Sequence, residues 1–198
     1  MKNFTFILFC LLSTFFIMAG CSDGDEKPDE KIKSEYYFRF KVNGILEEYI
    51  YQPETQINLT GGKYYNEENQ LHIIQVSGHR NIFQPQQNTV VLQLFHTEDI
   101  ATGITYSNIS SPSSVLPQFF GITYIDNDGK TYLATNNNPA FPMWEIASFK
   151  FDRIDATGMK GTFSAIGKTY DTTTGQSILT GRVEITDGEF YVPRNNEL

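Results

Sequence analysis

Three histidines, His72, His79 and His96, are the first residues to test for chemistry, because imidazole serves as acid, base or metal ligand near neutral pH. Their spacing fits no His-Glu-x-x-His or His-x-His pattern, so a zinc site would need ligands gathered from distant strands. They read as satisfied or exposed histidines, and no metal or cofactor is expected. A serine nucleophile lacks its Gly-x-Ser-x-Gly elbow, and the chain has no glycine-rich phosphate loop. Paired carboxylates are harder to set aside, since a glycosidase needs only two Asp or Glu side chains at the right separation. Glu145, Asp152 and Asp187 are candidates, although turns and solvent-facing strand positions explain them more simply. Asp126-Asn127-Asp128-Gly129 is oxygen-rich like a calcium loop but lacks the later EF-hand ligands. Its place between Tyr124-Ile125 and Thr131-Tyr132-Leu133 makes it a hairpin turn. No catalytic residue is assigned. A carboxylate-dependent glycoside or lipid hydrolase stays as the alternative to a non-catalytic role.

The elements that must position any such site read as strands. Phe38-Arg39-Phe40-Lys41-Val42 alternates, Asn43-Gly44 is a strong hairpin signal, and residues 45–51 return. Further strands are expected at 56–59, 71–77, 89–96, 119–125, 130–134, 144–154, 160–166, 181–185 and 189–192. Thr186-Asp187-Gly188 is expected to be a turn joining the last two. No stretch sustains a 3.6-residue apolar period. Short strands at this spacing predict an all-β fold: a single antiparallel β-sandwich, with a lipocalin-like β-barrel as the alternative. A barrel favours a ligand cavity, whereas a sandwich favours recognition by loops or a face. The polar connections 107–117 and 135–142 are the candidate functional loops. The eleven Tyr read first as core and edge-strand packing, and those reaching the surface can stack on sugars or partner proteins.

The N-terminus has the parts of an export signal over residues 1–20: Lys2, an apolar run over 4–18, then the small residues Ala19 and Gly20. The run falls short of the roughly 20 apolar residues that span a bilayer. Cys10 lies inside it, so Cys21 is the one cysteine left after cleavage and no internal disulfide can form. Ile17-Met18-Ala19-Gly20-Cys21 resembles the lipid-attachment site of bacterial lipoproteins, which implies cleavage after Gly20 and acylation of Cys21. More than one acyl chain would hold the protein stably at a membrane.

Residues 21–34 read as the lipidated cysteine and an acidic tether, whose polar stretch 22–30 cannot pack, and 35–198 as one β-rich globular domain. The acids Asp23, Asp25 and Glu26 resemble the post-cysteine export signal of Bacteroidota lipoproteins. That resemblance implies an outer-membrane lipoprotein facing the cell exterior. If the acids are only a spacer, the periplasmic face is the alternative. Phe40-Lys41-Val42-Asn43-Gly44, Gly161-Thr162-Phe163-Ser164-Ala165 and Ile185-Thr186-Asp187-Gly188-Glu189-Phe190 likewise resemble motifs of small Bacteroidota surface lipoproteins of uncharacterised function. The resemblance implies a fold and an address, and transfers no activity. Asp171-Thr172-Thr173 fits the tripeptide at which such exported proteins are O-glycosylated, making Thr172 a candidate.

Charge narrows the partners. Net charge is −8, and removal of Lys2 with the signal makes it −9. With no run of Lys or Arg, nucleic acid is excluded as a partner. The favoured reading is a membrane-anchored lipoprotein that binds a glycan, a small apolar ligand or a protein. A structural subunit of a surface assembly, joined through an open strand edge, is a further reading.

Overall fold

The computed structural model describes residues 34–138, 140 and 142–195. Gly20, Cys21, Asp23, Asp25 and Glu26 lie outside them. The described residues contain eleven strands and no helix. The strands are β1 (Tyr37–Val42), β2 (Ile45–Ile50), β3 (Leu59–Asn66), β4 (Leu71–His79), β5 (Thr89–His96), β6 (Thr105–Ser107), β7 (Phe119–Ile125), β8 (Thr131–Thr135), β9 (Ser148–Ile154), β10 (Gly158–Asp171) and β11 (Ile178–Pro193).

They form one antiparallel sheet in the order β2-β1-β11-β10-β8-β7-β5-β4-β3, with β9 on the first half of β10 and β6 on β9. The sheet folds back on itself. β3 reaches the end of β11 through a parallel bridge between Gly61 and Arg194, and the Asn195 N–H donates to the Gly61 carbonyl at 2.7 Å. The expected all-β antiparallel fold is therefore present as a nearly closed, barrel-like sheet.

Alternation explains how the sheet fills its interior. Every second side chain of a strand points to the same face, and here that face carries Phe38 and Phe40 of β1, Ile74 and Val76 of β4, Leu92 and Leu94 of β5, and Phe149 and Phe151 of β9, all buried. Aromatic rings occupy the centre: Phe38 lies 5.4 Å from Phe163 and 5.6 Å from Phe190, and Phe120 stacks on Phe149 at 4.7 Å. The interior is thus packed with side chains, unlike that of a barrel built around a ligand.

Three local features decide how the sheet closes. Asn43 and Gly44 both have positive φ, 50° and 84°, which makes the tight hairpin turn the sequence predicts. Gly61 allows the closing contact, since a Cβ there would stand 2.8 Å from the Met159 sulfur and 3.0 Å from Val192. The third feature corrects an expectation: Thr186-Asp187-Gly188 is no turn, because β11 runs unbroken through it. Asp187, at φ 51°, and Gly188 form a bulge, and registers with both β1 and β10 shift there. Both halves of the strand keep pairing with the same neighbours. The extra residue coils the strand without reversing it, as curvature of so long a strand requires.

Asp126-Asn127-Asp128-Gly129 joins β7 to β8 as expected. The Asp126 carboxylate accepts from the Asp128 and Lys130 N–H groups, both at 2.9 Å. The connections 107–117 and 135–142 are tied down by asparagines. Asn108 is fully buried, donates to the Thr135 and Glu145 carbonyls and accepts from the Ala147 N–H. Asn136 accepts from Phe120 N–H and donates to the Pro117 carbonyl.

Candidate binding site

At one end of the barrel the inward face changes from apolar to polar. Lys63 and Tyr65 continue the inward series of Leu59 and Gly61 on β3, His72 precedes Ile74 and Val76 on β4, and His96 follows Leu92 and Leu94 on β5. The sheet register sets Tyr65 opposite His72 and His72 opposite His96. The Tyr65 and His72 rings lie 4.7 Å apart, with Tyr65 about half exposed. A polar side chain at an inward position is stable only where water or a partner reaches it. These residues therefore mark the mouth of the barrel.

The connection from β5 to β6 completes the mouth. Ile100 is buried and plugs the barrel end, while its neighbour Asp99 stays in solvent. The Lys63 ammonium pairs with Asp99 Oδ1 at 2.7 Å and donates to the Ile100 carbonyl at 3.1 Å, which clamps the loop to β3. His72 Nδ1 lies 3.4 Å from the same carboxylate oxygen. The hydrogen bond from Lys63, aided by the ammonium charge, holds the Asp99 carboxyl below its ordinary value. Behind the rim, the Ala101 N–H donates to the buried Tyr106 hydroxyl at 3.0 Å.

The result is a hollow of about 340 Å³ lined by Lys63, Tyr64, Tyr65, His72, Ile100, Thr102, Ile154 and Arg194. A second hollow, about 350 Å³, lies on the outer face of β9, β10 and β11, where Ser148, Lys150, Thr162, Ser164, Asp187 and Glu189 surround it. Its carboxylates are taken up in ion pairs, Asp187 with Lys41 at 2.9 Å and Glu189 with Arg39 at 2.7 Å. Among the described residues, neither hollow draws a lining residue from 107–117 or 135–142. The described residues of those loops are held by Asn108 and Asn136, and none of them lines the mouth.

The other residues singled out from sequence are scattered. Glu145 accepts from Arg182 and Lys168, which pushes its carboxyl down to about 2, the wrong direction for a general acid. Asp152 pairs with Lys150 at 3.3 Å, so Glu145, Asp152 and Asp187 each face a cation of their own. His79 packs at the far end of β4 with Nδ1 2.9 Å from the Thr89 hydroxyl, and burial lowers its pKa. Thr172 is exposed beside the tip of the β10–β11 hairpin, where the Asp171 carboxylate accepts from the Thr173 N–H at 2.9 Å. Among the described residues no group of three or more His, Cys, Asp or Glu is placed to hold a metal, and no helix is long and apolar enough to cross a membrane.

Lys63, on a strand the sequence reading does not place, escapes that reading, and so do two residues outside the strands. Asp99 sits in a short connection and Arg194 beyond the last strand, and only tertiary contacts bring them to β3 and β4. His72 and His96 did carry a signal, because each occupies the inward parity of its own strand. Comparison with protein-family models, curated proteins and solved structures finds no match to the chain.

Proposed function

We propose that this chain is a non-catalytic lipoprotein, anchored through Cys21, whose β-domain binds a glycan at the mouth formed by Lys63, Tyr65, His72 and Arg194. The observation that carries the binding role is the exposed Tyr65 ring set against His72 in an open hollow rimmed with donors. An aromatic face flanked by hydrogen-bonding groups suits a sugar, which offers C–H groups on one side and hydroxyls at its edge. The packed interior argues against a buried apolar ligand. Hydrolysis has less support, because Asp99, the carboxyl described at the mouth, is held by Lys63 and lies against His72, and those beside the outer groove are held in ion pairs.

The Ile17-Met18-Ala19-Gly20-Cys21 string supports the anchor, and Asp23, Asp25 and Glu26 support outward display on the outer membrane. Protease treatment of intact cells tests the address. The wild-type domain should be cleaved and Cys21→Ala should leave the membrane fraction. Replacement of the three acids should leave the protein membrane-bound and protected. A wild-type domain protected in intact cells would move it, and its ligand, to the periplasm. A glycan array probed with the purified full chain tests the binding role, which fails if no glycan is retained.

A further inference from the structure

The charges around the mouth specify more than a sugar. Arg39, Arg80, Arg153 and Arg182 each pair with a carboxylate, of Glu189, Glu47, Asp155 and Glu145 respectively. Arg194 is the fifth arginine, and among the described residues no carboxylate lies within salt-bridge distance of it. Its position is nevertheless well fixed: its backbone N–H donates to the Thr157 carbonyl at 3.1 Å, and Nη1 donates to the Asp155 carbonyl, also at 3.1 Å. Its Nε is buried with no hydrogen-bond partner. A guanidinium left one acceptor short at the wall of a hollow is an unusual cost for a fold to carry.

Lys63 and His72 share the same hollow, and the Asp99 carboxylate beside them is already engaged by both. The mouth is therefore a cationic spot on a chain of net charge −8. An acidic protein would repel an anionic ligand everywhere except at such a place.

We infer that the ligand of the mouth is an anionic glycan, with Arg194 binding its acidic substituent while Tyr65 stacks on the sugar ring. This rests on the glycan-binding reading above. A planar guanidinium pairs with a carboxylate through two parallel N–H donors and also binds a sulfate, and among the described residues Arg194 has no carboxylate to give up first.

The test uses the full chain on an array that sets uronic-acid oligosaccharides beside their methyl esters, and sulfated oligosaccharides beside their desulfated forms. At least one acidic member should bind about tenfold or more tightly than its neutral counterpart, and its class identifies the substituent. Added salt should weaken that binding and leave neutral glycans unaffected, a readout that needs no variant. Arg194→Gln should abolish the preference, and Arg182→Gln, at an ion-paired surface arginine, should keep it. Equal affinity for charged and neutral partners, or a preference that survives Arg194→Gln, overturns the inference and leaves glycan binding at the mouth standing. No binding to any glycan overturns both.

Discussion

The mouth and the outer groove are hollows of almost equal volume, about 340 and 350 Å³, built from opposite faces of the same sheet. The groove is what a twisted, bulged surface leaves between neighbouring strands. Its rim consists of solvent-facing Ser, Thr and ion-paired charges, and its floor is the back of the aromatic core at Phe149 and Phe163. The mouth is where inward positions have been given to Lys, His and Tyr instead of Phe, Leu and Val. Size does not separate the two, whereas side-chain parity does. Polar side chains on an inward face give up core burial, and a sequence keeps such a conflict most readily where function requires it.

This contrast predicts where stability and binding should come apart. The largest effect is expected at the groove's floor. Phe163→Ala removes a ring packed against Phe38, Phe40 and Phe190, and should cost about 3–5 kcal/mol in denaturant-induced unfolding. At the mouth, Tyr65→Ala should weaken glycan binding at least about tenfold, on the order of 1.4 kcal/mol, when measured by titration calorimetry. Its unfolding free energy should move by no more than about 1 kcal/mol, because the ring is half exposed. A Tyr65 variant that unfolded with its binding intact would break the comparison.

Smaller effects sharpen it. Lys150→Ala removes a cation from the groove and a surface pair with Asp152. Calorimetry should find glycan affinity unchanged within about twofold, and unfolding should shift by about 1 kcal/mol at most. The smallest effect concerns pH. The folded Asp99 carboxyl lies below its ordinary 3.8, so its stabilising pairing with Lys63 is complete above that value and is lost as pH falls through the lower folded value. Hydrogen exchange in the 97–104 connection should therefore rise only in that acid window. The same segment in Asp99→Asn should exchange faster already at neutral pH.

Much of this arrangement could be read along the chain. Alternation located β1, short apolar runs located β5 and β7, and Asn43-Gly44 announced its turn, because these depend on neighbours a few residues apart. β3 was harder to see. Gly61-Gly62 reads as a break, yet Gly61 is there because Met159 and Val192 approach too closely for a side chain. Asp187-Gly188 misled in the opposite direction, since turn residues also build bulges and only pairing with β1 and β10 tells the two apart. At the mouth the histidines could be placed by parity, but their partners could not. Asp99 and Arg194 reach the site through long-range closure of the sheet, which local pattern does not encode.

The most direct test of the account is where a bound glycan touches the domain. Nuclear magnetic resonance spectra of the full chain in detergent, recorded while a glycan selected on the array is added, would report this residue by residue. The account predicts that resonances of Tyr65, His72 and Thr102 shift in a saturable way, while those of Ser148, Thr162 and Ser164 stay in place. Shifts confined to the groove, with the mouth unmoved, would contradict it.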